Sequence, residues 1–167
     1  MTEMNTMKKI EAFQGFSDDQ LAAVQPFCES LSFRQGAKLF TQGDPAEHLW
    51  VVVEGAVDLR FEMPGRSSAS KEHTVSSVSI GKREQVAQTF GWSCFVPPYS
   101  MRLSAYCVSD HVRIVRVAKN DLIGAFEADP RMGYVFLSYL IKVVGYRFHQ
   151  FQDEVAKSKG DFMMTGW

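Results

Sequence analysis

The chain has 167 residues, which is enough for one domain with its own hydrophobic core and too few for two of ordinary size. Hydrophobic residues make up 46% of it and charged residues 22%, the balance of a soluble globular protein. Its 18 basic and 19 acidic side chains leave a net charge of −1, so charge supplies no general attraction to nucleic acid or to an anionic membrane. We therefore expect neither as a partner.

The sequence carries no recognisable targeting or metal-binding signal. The first 13 residues contain two lysines without the apolar segment of a signal peptide, and no apolar run approaches the ~18 residues of a membrane span. Cys28, Cys94 and Cys107 form no CxxC pair and no cluster with histidine, which argues against a zinc knuckle or an iron–sulfur centre. These features predict a cytoplasmic protein with reduced thiols and no metal.

Residues 10–30 are predicted to form an N-terminal helical segment. Ser17 is followed by two acidic residues and then by Gln20, which is the arrangement of a helix capping box. Leu21 and Val24 follow at helical spacing, so the helix presents an apolar face.

Residues 31–117 change to short strands that are separated by glycine-containing turns. Val57, Leu59 and Phe61 alternate with charged residues, which is typical of a half-buried strand, whereas the apolar run 49–53 indicates a fully buried one. The small, polar segment 64–71 is predicted to be a mobile hairpin loop. Strands this short and closely spaced favour a jelly roll or a small barrel. Their predicted ranges are 38–41, 49–53, 56–61, 73–80, 84–89, 102–108 and 111–117.

Residues 119–157 are predicted to be helical. Asn120 is expected to cap a short helix that ends at Ala128, and Pro130 stands at the first position of the next helix. That long helix, predicted over 131–157, is apolar over roughly two-thirds of its circumference, while an ordinary surface helix needs only ~100°.

The apolar residues of the long helix form two stripes, and each follows the alternating steps of three and four of a coiled-coil seam. The barrel can cover only one of them. We therefore predict a homodimer in which the other stripe pairs with its copy about a two-fold axis. The alternative is one broad face buried in a monomeric core. The predicted dimer stripe is Met132, Phe136, Tyr139, Val143 and Tyr146, and the second stripe is Leu137, Leu140, Ile141, Val144, Phe148, Phe151 and Val155.

The same order of elements comes with residues that resemble a known family. Segment 33–57 (FRQGAKLFTQGDPAEHLWVVVEGAV) is similar to the opening strands of the cyclic nucleotide-binding domain, including its turn glycines. This domain is the effector half of the bacterial catabolite activator and the regulatory module of cyclic nucleotide-dependent kinases and channels. The resemblance covers about residues 10–155. It implies a mainly β fold with flanking helices: a double-stranded β-helix (jelly-roll barrel) followed by a long C-terminal helix.

The resemblance also implies a ligand site, because Phe90-Gly91 opens what would be the phosphate-binding cassette. The family pattern is Phe-Gly-Glu, a short helical turn and then an arginine; amides and arginine hold the cyclic phosphate, and the glutamate accepts the ribose hydroxyl. Here Trp92 replaces that glutamate, so we expect weak binding of cyclic AMP and a preference for another small anion. The ligand-binding residues that the resemblance implies are Gly91, Trp92, Ser93, Arg102, Leu103 and Ser104.

The prediction for function is a small-molecule-sensing regulatory domain that catalyses nothing. The four histidines lack the HxH pair of a metal-dependent cupin, and no Ser-His-Asp or Cys-His signature occurs. Only about ten residues follow the long helix, where the resembled transcription factors carry a helix-turn-helix, so we expect no specific DNA binding and output through a separate signalling protein. The alternatives are a ligand-free interaction module on the same fold, a cupin-type metalloenzyme, and a haem sensor that uses His73.

Overall fold

The computed structural model describes residues 2–62, 74–79 and 88–164; the predicted loop 64–71, His73 and most of the predicted strand 84–89 lie outside these residues. Short 3₁₀ turns cover Glu11–Phe13, Gln25–Phe27 and Trp92–Phe95. The helices are α1 (Met4–Met7), α2 (Asp18–Val24), α3 (Lys119–Ala128) and α4 (Pro130–Met164). The strands are β1 (Cys28–Arg34), β2 (Lys38–Phe40), β3 (His48–Glu54), β4 (Ala56–Arg60), β5 (Thr74–Ser79), β6 (Thr89–Phe90), β7 (Ser104–Cys107) and β8 (His111–Ala118).

Two antiparallel sheets of four strands form the jelly roll. Their strand orders are β1-β8-β3-β6 and β2-β7-β4-β5, so the chain crosses between the sheets at every step except from β4 to β5. The predicted fold class is therefore confirmed, with one refinement. In the described residues the strands make two packed sheets rather than one closed barrel.

The hydrophobic core extends from between the sheets to the helices that cover them. Strand β3 buries the four consecutive residues 49–52, and since neighbouring side chains of a strand point to opposite faces, both sides of its sheet are covered. Met7 and Phe13 from the N-terminal segment and Phe136 from α4 belong to the same buried cluster. The apolar run in this region is thus a buried strand, as predicted.

The N-terminal segment is a series of short helices rather than one helix over 10–30. The predicted capping box is confirmed: the amide of Gln20 donates to Ser17 Oγ at 3.2 Å, and the amide of Ser17 donates to Gln20 Oε1 at 2.9 Å. Helix α2 ends early because Pro26 has no amide with which to continue it. The predicted strand start at residue 31 is wrong, since β1 begins at Cys28.

Helix α4 begins at Pro130, as predicted, whereas the start of the short helix before it differs from the prediction. Asn120 is not an N-cap: α3 begins at Lys119, directly after β8, and Ala118 occupies the cap position. The cap of α4 is Asp129, whose Oδ1 accepts the amide of Arg131 at 3.0 Å. A second hydrogen bond to Asp129, from Gln20 Nε2 to Oδ2 at 2.6 Å, links α2 to the start of α4.

Candidate functional site

A cavity of about 670 Å³ lies between the β2-β7-β4-β5 sheet, the turn that follows β6 and the C-terminal half of α4. Its apolar lining includes Phe40, Leu59, Phe90 and Met101. A smaller cavity of about 340 Å³ adjoins it between β5 and α4. The larger one is of the size that a small-molecule ligand occupies, typically ~300–1,000 Å³.

Gly91 makes the turn that brings the chain into the cavity wall. Its φ of 75° lies in the left-handed region, and a Cβ at this position would approach Trp50 Cδ1 to 2.6 Å, so only glycine fits. In the 3₁₀ turn that follows, the amide of Cys94 donates to Gly91 O at 3.1 Å. The amides of Trp92 and Ser93 are the first two of that turn and have no partner within it, which leaves them able to donate to a ligand.

Trp92 belongs to the wall of the cavity and does not fill it. Its indole is partly buried against the hydrophobic core, and the cavity of about 670 Å³ remains beside it. Ser93 lines the same wall. Trp92 therefore offers the cavity an aromatic surface and no carboxylate.

Arg102 and Leu103 line the cavity just before β7 rather than within it, because the strand predicted over 102–108 begins at Ser104. Arg102 is exposed to solvent and Leu103 is partly buried. Five of the six predicted ligand-binding residues thus meet at one cavity. The sixth, Ser104, does not line it.

Ser104 is buried in a separate polar cluster, and its assignment to the ligand site is wrong. Its Oγ accepts the amide of Gln42 at 2.8 Å, so the hydroxyl holds the turn after β2. Close by, Glu62 Oε1 accepts hydrogen bonds from the Tyr106 hydroxyl at 2.6 Å and from Lys38 Nζ at 3.0 Å. Together with Ser104, these donors lower the pKa of Glu62 to about 2. These hydrogen bonds connect β2 and β7 to Glu62, which follows β4.

Sequence analysis did not identify Arg147, a residue of α4 that lines both cavities. Its Nη1 donates to Gln150 Oε1 at 3.3 Å, while its Nη2 is buried and has no partner among the described residues. Burial lowers the pKa of Arg147 from its usual value. A signal was present, since Val143 and Phe151 flank this arginine four residues away on each side and predict a charge within an apolar face.

The predicted dimer stripe faces the chain's own core, and that part of the assembly prediction is wrong. Met132, Phe136 and Val143 are at most 2% exposed. Tyr139 is hydrogen-bonded to Thr89 Oγ1 at 2.7 Å, and burial raises the pKa of its phenol to about 12; Tyr146 is partly buried beside the smaller cavity. The stripe that α4 leaves uncovered is another one, called here the solvent-facing stripe: Tyr134, Leu137, Ile141, Phe148, Phe151 and Val155.

The remaining reactive groups of the described residues form no second site. No three His, Cys, Asp or Glu side chains in this part of the chain are grouped to hold a metal ion. All three cysteines are buried, which raises the pKa of Cys28 and Cys94 to about 12 and that of Cys107 to about 11. None of the helices described here has both the length and the apolarity to cross a membrane.

Sequence comparison and structural comparison give opposite outcomes. No family model and no curated protein matches the sequence. By structure, the chain is similar to a Geobacter metallireducens protein assigned as a cyclic nucleotide-binding protein, with 25% identity, a TM-score of 0.70 and coverage of 89% of this chain and 100% of the other. A cyclic nucleotide-binding domain from Methylobacillus flagellatus shares 17% identity with a TM-score of 0.71, over 93% of this chain and 81% of the other.

A third similar structure is the sensor domain of the transcriptional regulator DNR from Pseudomonas aeruginosa. It shares 18% identity with a TM-score of 0.66, over 90% of this chain and 91% of that domain. The chain therefore has the fold of the cyclic nucleotide-binding domains, and the resemblance drawn from segment 33–57 is confirmed at the level of fold.

Proposed function

We propose that this chain is a small-molecule-sensing regulatory domain whose cavity binds an anionic ligand in preference to cyclic AMP. The observation that carries the proposal is the cavity of about 670 Å³, whose lining includes Gly91, Trp92 and Arg102 of the segment that the resemblance assigns to the cassette. Apolar walls and a few convergent polar groups are the composition of a ligand pocket. We propose neither catalysis nor DNA binding for residues 1–167.

The preference for an anion follows from the donors around the cavity. Arg102 and Arg147 both line it, and the amides of Trp92 and Ser93 begin a turn at its edge. Two guanidinium groups and free amides favour a phosphate or a carboxylate over a neutral group.

The discrimination against cyclic AMP follows from Trp92. A hydrogen bond between a ribose hydroxyl and a carboxylate contributes on the order of 1.5–3 kcal/mol, and the indole cannot replace it. Cyclic AMP is therefore expected to bind roughly 10–150-fold more weakly than it does where the carboxylate is present.

The proposal includes a homodimer that forms through the solvent-facing stripe and not through the buried one. Leu137 and Ile141 are 56% and 72% exposed, and with Phe148 and Val155 they continue one apolar seam along α4. The steps of four and seven residues within this seam are those of a heptad repeat and suit a two-fold pairing with a second copy of the same helix. Phe151 belongs to this stripe and also lines the cavity, which brings the ligand next to the interface.

A thermal-shift screen of nucleotides, cyclic dinucleotides and small organic anions tests the proposal. A ligand of the native state raises the melting temperature by mass action, and the Leu103→Trp variant, which narrows the cavity, is the matched control. We expect at least one anion to stabilise the wild type and not the variant. Calorimetry that found cyclic AMP binding at low micromolar affinity would refute the preference. A screen without any cavity-dependent hit would favour the interaction module, whose apolar surface is the solvent-facing stripe.

A further inference from the structure

Arg147 lies where the two cavities meet. The larger cavity and the smaller one share Thr74, Val75, Ser76, Arg147 and Gln150, so Arg147 belongs to the wall of both. On α4 the wall of the larger cavity begins at Arg147 and extends to Lys157. Arg102, the cation that the resemblance implies, belongs instead to the segment before β7.

The guanidinium of Arg147 has no counter-ion among the described residues. Its one hydrogen bond there, from Nη1 to Gln150 Oε1, is long at 3.3 Å, and Nη2 has none. Ser76 Oγ, in the same wall, is also buried and has no partner in the part of the chain that the structure describes. Two carboxylates, those of Asp153 and Glu154, line the larger cavity, but both are exposed and Glu154 is 3.7 Å from Lys157 Nζ. A partly buried cation without a counter-ion is costly, and a ligand anion that reached it would relieve that cost.

The difference in burial between Arg102 and Arg147 indicates which of them binds an anion more strongly. Arg102 is exposed, so water and salt screen its charge, and a contact with it resembles a surface ion pair. Arg147 is only partly exposed and its Nη2 is buried, so the effective dielectric constant around it is lower and the same contact is stronger. The planar fork of a guanidinium matches the two oxygens of a carboxylate or phosphate.

From these observations we infer that Arg147 is the specificity-determining residue of the cavity and holds the anionic group of the ligand. The ligand class is a carboxylate or phosphate ester on a flat apolar body, since the rest of the wall is formed by side chains such as Phe40, Phe90 and Phe151. The inference rests on the proposed function of the cavity as the ligand site, and it names the residue and the chemistry of recognition there.

Two fluorescent probes that differ by a single sulfonate test this role on the whole chain. 8-Anilino-1-naphthalenesulfonate carries the anion, and N-phenyl-1-naphthylamine is the same molecule without it. In Arg147→Met, which keeps an unbranched apolar stem and removes the guanidinium with its charge, we expect the affinity for the anionic probe to fall roughly tenfold or more. The affinity for the neutral probe is expected to change by less than about twofold, and Arg102→Met is expected to weaken the anionic probe by no more than about threefold.

Competition then distinguishes the two anion classes. 1-Naphthyl phosphate and 1-naphthoate are titrated against the bound anionic probe, and the one that displaces it at the lower concentration identifies the class. Arg147→Lys is the second variant: it keeps the charge and loses the fork, so it should bind the anionic probe with an affinity between those of the wild type and Arg147→Met.

Several outcomes would overturn the inference. Equal losses for both probes in Arg147→Met would give the arginine a structural role only, and a larger loss in Arg102→Met would move the anchor to the segment before β7. Displacement by neither naphthyl anion would also count against it. The Leu103→Trp variant keeps these failures separate from failure of the proposed function: if neither probe loses affinity there, the cavity itself is not the ligand site.

Discussion

The two faces of α4 have the same kind of sequence and opposite surroundings. Phe136 on one face is fully buried, and Ile141 on the other is 72% exposed. Each face repeats its apolar residues at spacings compatible with a heptad repeat. Periodicity alone therefore does not predict which face packs on the sheets. The rotation of a helix about its axis is decided by its neighbours, and on α4 the deciding contact is with α3.

That contact occurs at Gly133. A Cβ there would lie 3.1 Å from Cβ of Phe126, so a larger residue would force α3 and α4 apart by a few tenths of an ångström. Phe136, Leu140 and Val143 follow Gly133 along the same face at the same helical steps, and all three are buried. The face that includes the glycine is therefore the face that packs on the rest of the chain.

The largest expected contrast between the two faces concerns stability. Phe136→Ala leaves a cavity in the core and should lower the free energy of unfolding by about 3–5 kcal/mol. Phe148→Ala, made together with Leu137→Glu and Ile141→Glu so that pairing of the stripe is removed, should change it by less than about 0.5 kcal/mol relative to that double variant. Urea unfolding measures both. Similar losses at the two positions would mean that the faces are equally buried.

Assembly is the next contrast. Leu137→Glu with Ile141→Glu places two charges on the solvent-facing stripe and should raise the dimer dissociation constant about 100-fold or more, because each carboxylate would have to leave water on pairing. Sedimentation equilibrium gives the constant. The matched control replaces Lys142 with glutamate, a neighbouring exposed residue outside the stripe. A wild-type chain that stays monomeric at high micromolar concentration contradicts the proposed dimer.

The smallest contrast is in pH dependence. Tyr139 on the buried face has its pKa raised to about 12, so its contribution to stability is complete below pH 10 and is lost as the pH rises from 10 towards 12. Tyr139→Phe also removes the hydrogen bond to Thr89 and should cost about 1 kcal/mol at pH 7. The difference from the wild type should shrink above pH 10.

Tyr134→Phe is the control on the exposed face, since its ring is 74% exposed. At pH 7 this variant should change the free energy of unfolding by less than about 0.5 kcal/mol. A constant gap between wild type and Tyr139→Phe across the whole range would contradict the burial of the phenol.

Much of the fold could be predicted because its signals are local. The capping box at Ser17, the alternation in β4 and the apolar run of β3 each involve neighbours in sequence. Asn120 failed as a cap since β8 continues straight into α3, where the amide of Lys119 donates to Glu47 O at 2.9 Å. That partner is 72 residues away in the chain, and no local pattern contains it.

Part of the cavity lining could be predicted because its residues are neighbours in sequence. Gly91 and Trp92 stand in a contiguous motif, and the structure brings them to the cavity together with Arg102. Sequence analysis did not predict that Ser104 bonds to Gln42 instead of lining the cavity, or that Arg147 lines it. Both placements depend on contacts between distant segments. The exposure of the solvent-facing stripe of α4 likewise depends on contacts between distant segments.

Phe151 belongs to two surfaces at once, the wall of the cavity and the solvent-facing stripe. In a chain that pairs through that stripe, thermodynamic linkage makes the two events reciprocal: any factor by which pairing tightens the ligand is the factor by which the ligand tightens pairing. Half-saturation by the ligand then shifts with the total concentration of the protein. If the cavity binds a ligand as proposed, the abundance of this chain is a second input to the response, beside the abundance of that ligand.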